Sequence, residues 1–320
     1  MAPATNMRNC IIVTVAGSLL FAQTGPRPVF RTSVRMVVQP FSVTDSRGNP
    51  VSGLKPSDIR ILENGVPQRV VALVEGSKLV LHAEGQDNTA VGASIFVLFD
   101  TSNRMYTMFP YVYDEITEFV RRLDPADSVA IYTFSRNLFR ASPLTKDHVQ
   151  ARAGLENAVA GDDTALFNSL LLTIRDAARI PGRKAVVLFS NGPDNASMIG
   201  PDDVGRVAED EGIPVYIIAT LEASRDALLA RALKSLAWRT GGQLYWAPRW
   251  QDQTVAFQSV REDIASSYTA YYYPAPDCAP GYRRIQVELV SSEGTKWRVR
   301  ARGGYETRTE GSASDRASGR

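Results

Sequence analysis

The stretch Ile95-Phe96-Val97-Leu98-Phe99-Asp100-Thr101-Ser102-Asn103-Arg104 decides the reading of this chain. A short apolar run that ends abruptly in turn-forming residues reads as a strand buried on both faces. In open α/β sheets the ligand crevice lies at the carboxyl ends of such strands. That is where the Asp100 carboxylate and the Ser102 hydroxyl fall. Two later segments carry complementary signals. Gly161-Asp162-Asp163-Thr164-Ala165-Leu166 sits at a helix start, with Thr164 as the expected N-cap. Val186-Val187-Leu188-Phe189-Ser190-Asn191-Gly192 is a second apolar strand that ends in small polar residues.

Outward from these segments, strands are expected at roughly 94–99, 128–134, 185–190, 214–219 and 242–246. Amphipathic stretches near 111–123, 145–159, 165–180, 202–211, 225–239 and 252–267 alternate with them, and Pro181-Gly182 stops the third. This alternation implies an α/β fold, a doubly wound and mostly parallel sheet covered on both faces.

The flanks read differently. Residues 31–90 contain short strands and turn clusters, including Asn64-Gly65, a strong hairpin signal, with Val66 to Val74 as the returning strand. After 267, Tyr268–Tyr273, Arg283–Leu289 and Trp297–Arg302 are strand-like, the first expected as an aromatic edge strand packed on the core. These are small β elements at the two ends of the α/β core. The expected division is 1–24 signal peptide, 25–91 N-terminal β module, 92–267 core, 268–306 C-terminal β element and 307–320 disordered tail. The signal reading rests on Arg8 followed by an apolar run from Cys10 to Ala22, which competes with a buried N-terminal strand over Ile11–Val15. It implies a secreted or periplasmic protein with no membrane span beyond that segment.

Composition excludes several classes. Apolar residues make up 44% and charged residues 22%, and the net charge of +2 is spread without a dense basic stripe, so nucleic acid is not an expected partner. Two cysteines, Cys10 and Cys278, and two histidines, His82 and His148, stand in unrelated contexts and build no zinc site. No nucleophile elbow, phosphate-binding loop, zinc-protease helix or dinucleotide fingerprint occurs. His148 reads as a capped surface residue and Cys278 as a spare loop thiol. The chain is therefore expected not to be an enzyme.

The three segments around Asp100 resemble the metal-ion-dependent adhesion site of the von Willebrand factor type A (vWA) domain, which reads Asp-x-Ser-x-Ser, then a distant Thr, then a distant Asp. The flanking phrases Val43–Val51, Ile61–Gln68, Tyr272-Tyr273-Pro274 and Arg302–Tyr305 resemble those of vWA-related proteins from acidobacteria, so the resemblance covers roughly 30–306. It implies a Rossmann-like core and a protein-binding role. Carried over by position, Asp100, Ser102 and Thr164 match, while Arg104 replaces the second Ser and Asn191 the distant Asp. Hard cations such as Mg²⁺ need oxygen ligands and compensating charge. Arg104 and a divalent ion about 4 Å apart would repel by roughly 8 kcal/mol at an effective dielectric of about 20. No cofactor is expected, although Asp100, Ser102 and Thr164, with Asp162 and Asp163 nearby, leave room for weak Mg²⁺ binding. Arg104 is expected to pair with Asp100 and to take an acidic residue of an unknown protein partner in place of the metal. The alternative is a scaffolding module of the cell envelope with a vestigial site.

Overall fold

The computed structural model describes residues 36–82, 92–105, 109–192, 194–275, 281–290 and 296–307. The chain divides into two units, Met1–Ser33 and Val34–Arg320, and every described residue belongs to the second. The expected signal segment, Cys278 and the expected tail from 308 onward lie outside the described residues.

The chain opens with β1 (Val37–Thr44), β2 (Ile59–Glu63), β3 (Val66–Gln68), β4 (Val70–Glu75) and β5 (Lys78–His82). The Asn64-Gly65 turn has φ of 49° and 83° at its two centres, the left-handed pair that a two-residue hairpin requires. The stretch expected as one returning strand is two. β3 pairs with β2 but β4 does not, so the chain crosses from one sheet to another at Arg69. Pro67 lies in β3, at the edge of its sheet, where a missing amide donor is tolerated.

The core follows: β6 (Ser94–Asp100), α1 (Phe109–Arg121), β7 (Ser128–Phe134), β8 (Leu138–Thr145), α2 (His148–Ala153), α3 (Leu166–Ala178), β9 (Lys184–Ser190), α4 (Pro201–Asp210), β10 (Val215–Ala219), α5 (Leu221–Arg225), α6 (Ala227–Thr240), β11 (Leu244–Trp246) and α7 (Trp250–Ser266). The six-stranded sheet has the order β11-β10-β9-β6-β7-β8, parallel except for β8. Side chains alternate along β6. Ile95, Val97 and Phe99 pack under α1 and α7, while Phe96 and Leu98 pack under α3, α4 and α6. α1 buries Val112, Ile116, Phe119 and Val120, one stripe at helical spacing. The edge strand β8 is absent from the sequence expectation, because Arg140, Ser142 and Pro143 break its alternation. The stretch expected as amphipathic over 145–159 holds only the short α2 and a 3-10 turn at Gly154–Asn157. A Cβ at Gly154 would lie 2.4 Å from the Ala141 carbonyl oxygen, so the turn closes directly onto β8.

Four strands finish the chain: β12 (Tyr268–Tyr272), β13 (Gly281–Leu289), β14 (Arg298–Ala301) and β15 (Gly304–Thr307). They interleave with the first five. One sheet runs β14-β1-β12-β4-β5 and the other β15-β13-β2-β3. Phe41, Leu73, Tyr268 and Tyr272 of the first share an apolar core with Ile61 and Ile285 of the second. The two ends of the chain thus build one β module. β12 is the middle strand of its sheet rather than an edge, and Tyr268 and Tyr272 are buried because neighbouring strands cover both sides.

Arginines lock module to core, with Arg183 and Arg302 buried and Arg300 half-buried. Arg302 donates from Nε to Gln39 Oε1 (3.0 Å), from Nη1 to the Asp210 carbonyl (3.0 Å) and from Nη2 to the Val38 carbonyl (2.9 Å). Arg300 pairs with Asp263 of α7 at 2.6 Å. Arg183, just before β9, donates to the carbonyls of Gly76 and Ile264 and to Ser267 Oγ.

Candidate functional site

β6 and β9 run parallel with Phe99 opposite Phe189, so Asp100 and Ser190 end their strands side by side. Asp100 is fully buried. Its Oδ2 accepts the Ser190 hydroxyl at 2.7 Å and its Oδ1 accepts the Ser102 amide at 2.9 Å. The Asn191 amide also points at this carboxylate. Burial pushes the Asp100 carboxyl above its ordinary value, and the Ser190 hydrogen bond pulls the other way. The Ser102 hydroxyl faces the same carboxylate. It falls short of hydrogen-bond geometry, and its buried oxygen has no partner among the described residues.

The segment that precedes α3 forms the second wall. Gly161 bridges to Ser102, and its amide donates to the Thr101 carbonyl at 2.9 Å. A Cβ at Gly161 would lie 2.1 Å from Ser135 Oγ, which makes glycine necessary there. Thr164 is buried, and it is not the expected N-cap. α3 starts one residue later at an N-cap, Ala165, whose side chain makes no bond. The free amides of the first turn are capped from the loop after β9. Asp194 Oδ2 accepts from Phe167 N and Ser197 Oγ accepts from Asn168 N, both at 2.9 Å. Asn195 Oδ1 accepts from Thr164 N at 2.7 Å. This loop holds the Thr164 segment against the strand ends.

The structure therefore gathers Asp100, Ser102 and Asn191 around one carboxylate and seats Thr164 on the adjoining wall. All four are buried, at 0%, 1%, 3% and 2% exposure respectively, so none is presented to a protein surface as the site stands. Arg104 belongs to the 3-10 turn Asn103–Met105, and its side chain lies outside the described residues. Asp163 forms an ion pair with Arg136 and accepts from Asn195 Nδ2 at 3.2 Å. Asp162 is exposed. Sequence reasoning missed Ser190 as the partner of Asp100, and Asp194, Asn195 and Ser197 as the clamp on α3. Ser190 was accessible from the matching ends of two apolar strands, whereas the clamp left no signal near α3.

Of the remaining candidates, Cys278 and the His82 side chain lie outside the described residues, and His148 sits at the start of α2. Asp147 caps α2, accepting from Val149 N and Gln150 N, and His148 Nε2 lies 3.0 Å from the Asp127 carbonyl oxygen. Among the described residues no three His, Cys, Asp or Glu side chains converge as metal ligands. No helix among them is long and apolar enough to cross a membrane.

The family model of the von Willebrand factor type A domain matches residues 94–258. Among solved structures, the conserved hypothetical protein BatB from Bacteroides thetaiotaomicron is 17% identical with a TM-score of 0.44, over 53% of this chain and 97% of that one. Proximal thread matrix protein 1 from the mussel byssus is 20% identical with a TM-score of 0.46, over 55% of this chain and 48% of that one. A von Willebrand factor type A protein from Catenulispora acidiphila is 12% identical with a TM-score of 0.45, over 77% and 73% respectively. No curated protein sequence matches the chain.

vWA domains can hold a metal at an adhesion site whose sequence pattern Asp100, Ser102 and Thr164 match, so the donors can be tested against a hard divalent cation. The oxygens are of the right type, and the unpartnered Ser102 hydroxyl is the donor such an ion would use. The charge is not adequate. Asp100 is the one carboxylate in the cluster, both its oxygens already accept hydrogen bonds, and burial disfavours its charged form. Asn191 contributes no charge, and Asp163 is taken by Arg136. The residues do not fit a tightly held divalent cation.

Proposed function

Since this chain belongs to the von Willebrand factor type A domain family, we propose that it is an exported, non-enzymatic protein-binding module whose degenerate adhesion site works without a resident cation. The observation that carries this reading is the state of Asp100, a lone buried carboxylate satisfied by Ser190 and Ser102 of its own chain. The cluster acts as an internal pin that fixes the loops of the top face. Contacts to the partner come from the rim, with Arg104 taking an acidic side chain. The functional unit of binding is the core, 92–267, and weak Mg²⁺ binding is incidental to it.

A second reading is favoured by the burial of Asp100, Ser102, Thr164 and Asn191. On that reading the pin is only structural, and the chain is an envelope scaffold that makes its contacts through the β module. One experiment separates the two. The full chain and its Arg104→Glu variant are used to capture partners from the native envelope fraction, with and without a chelator. The adhesion reading expects a specific partner that is retained in chelator and lost with Arg104→Glu. Capture that survives the substitution supports the scaffold, and capture lost in chelator overturns the cation-free site.

A further inference from the structure

One face of α6 is turned to solvent and left unused by the fold. The buried stripe of the helix is Leu229, Leu233, Leu236, Ala237 and Thr240, and its apolar members pack with Val215 and Ile217 of β10. On a helix of 3.6 residues per turn, Leu228, Arg231, Lys234, Ser235 and Trp238 fall within an arc of roughly 120° on the opposite side. All five are exposed. Two of them are large and apolar, with Leu228 79% exposed and Trp238 70%. They stand about 15 Å apart along the helix axis, one near each end, with the two cations between them.

The positive charge of this face is not consumed inside the molecule. α6 carries no acidic residue. Arg231, Lys234 and Arg225, the last residue of α5, pair with no carboxylate among the described residues. The carboxylates around them are engaged elsewhere. Asp226 accepts from Leu228 N and Leu229 N, both at 3.0 Å, as the N-cap of α6. Glu222 accepts the Thr220 hydroxyl at 2.8 Å. On the neighbouring α4, Asp203 pairs with Arg206 and Glu209 with Arg239, and Asp202 acts on Arg239 as well. A single exposed apolar side chain needs no explanation. Two at the ends of a face whose middle is unpaired and basic form the pattern of a helix that lies on an anionic interface.

We propose that this face of α6 is a docking surface for an anionic lipid membrane. Arg231 and Lys234, with Arg225 beside them, meet the headgroups. Leu228 and Trp238 enter the boundary between headgroups and acyl chains, where an indole keeps its N–H at the polar side. The long basic stems lie along the apolar layer while their charged ends reach phosphate. A flat, deformable bilayer meets both ends of this convex face at once. A folded protein would need an acidic groove about 15 Å long between two apolar pockets. The contact is peripheral and reversible, since α6 keeps its buried stripe in the core. It involves neither the Asp100 cluster nor Arg104.

The test is sedimentation of the full chain with vesicles of phosphatidylcholine alone, and of phosphatidylcholine mixed with phosphatidylglycerol, in low and high salt. Partition is expected onto the anionic vesicles and is expected to fall in high salt. Each cation near an anionic surface contributes about fivefold, so Arg231→Gln combined with Lys234→Gln should weaken partition by roughly 25-fold. Trp238→Ala should weaken it by about tenfold or more, and should remove the vesicle-induced blue shift of tryptophan emission. Either variant suffices once its circular dichroism and melting temperature match the parent, as exposed positions lead one to expect. No partition onto anionic vesicles, equal partition onto neutral ones, or unchanged partition by a folded variant overturns the proposal. Failure on vesicles, together with an acidic protein captured by the parent and lost with the double variant, would assign the face to a protein instead.

Discussion

The Ser190 hydroxyl donates to Asp100 Oδ2 at 2.7 Å across two parallel strands that end in register. This bond joins the carboxyl ends of the two central strands and satisfies a charge that has no access to solvent. Removal of Ser190 leaves the carboxylate short of a donor. Ser190→Ala is expected to cost roughly 1–3 kcal/mol in urea unfolding. In an Asp100→Asn background the same Ser190→Ala change should cost less than in the parent, because the charge that needs the donor is gone. Strict additivity would show that the two groups are not coupled.

Asp100→Asn should stabilise the protein at neutral pH. Burial raises the Asp100 carboxyl above its ordinary value of 3.8, so between that value and the raised one the folded state holds more protons than the unfolded state. Stability from this group is therefore complete in acid and falls as pH rises through the raised value. The asparagine variant lacks that fall. A gain of roughly 0.5–2 kcal/mol at neutral pH, within the usual range for stabilising substitutions, and none in acid is the expected pattern. An equal gain at both pH values would remove the titration as its cause.

The double change Arg104→Ser with Asn191→Asp should create divalent-ion affinity. It removes a positive charge and adds a negative one beside Asp100 and the unpartnered Ser102 hydroxyl. Calorimetry with Mg²⁺ and Mn²⁺ is expected to give a clear binding isotherm for the double variant and no better than millimolar affinity for the parent. Micromolar binding by the parent, lost on Asp100→Ala, would return the protein to the metal-dependent class.

Asp194→Ala should loosen the start of α3. The Asp194 carboxylate accepts from Phe167 N, Ala196 N and Ser197 N, so it caps the helix and folds its own loop. A loss of about 0.5–2 kcal/mol is expected, with faster amide exchange at Phe167 and Asn168. Unchanged exchange at those amides would show that Asp194 is not the cap.

Arg302→Ala should be among the more damaging single changes, at roughly 2–5 kcal/mol. It leaves the Val38 and Asp210 carbonyls and Gln39 without their shared donor. Arg302→Lys should recover only part of the loss, since an ammonium cannot span the same acceptors. Full recovery with lysine would argue that charge alone matters.

The core was legible because its strands are short apolar runs that end in polar turns, and the resemblance to the vWA adhesion site is what groups Asp100, Ser102 and Asn191. β8 was not, since an edge strand needs little alternation and carries Arg140 and Pro143 without penalty. The cap of α3 was misassigned to Thr164 because capping rules read neighbours in sequence, while Asp194 arrives from the far end of β9. The same limit hid the β module. Val37 pairs with Tyr272, and Leu289 with Ile59, so β1, β2 and β4 of one end find partners among β12, β13 and β14 of the other. Local patterns name such strands without naming their neighbours.

The interleaved module has a mechanical consequence. β1 and β14 are hydrogen-bonded neighbours, with Phe41 opposite Ala301, although the whole six-stranded core is threaded between them in sequence. A pull applied upstream of Val37 and downstream of Thr307 is carried across the module by the shortest route, through the β1–β14 ladder and the β13–β15 pair beyond it. The antiparallel geometry brings the leaving ends of β1 and β14 to the same side, so these bonds open one after another, like a zipper, rather than shearing together. The inserted core is tied to this path at the end of α4, where Arg302 donates to the Asp210 carbonyl and Asp210 Oδ1 accepts from Glu306 N, so those contacts are loaded as the zipper runs. Tension on the chain therefore reaches the module and the end of α4 before it reaches the top face with Asp100 at the far ends of the strands.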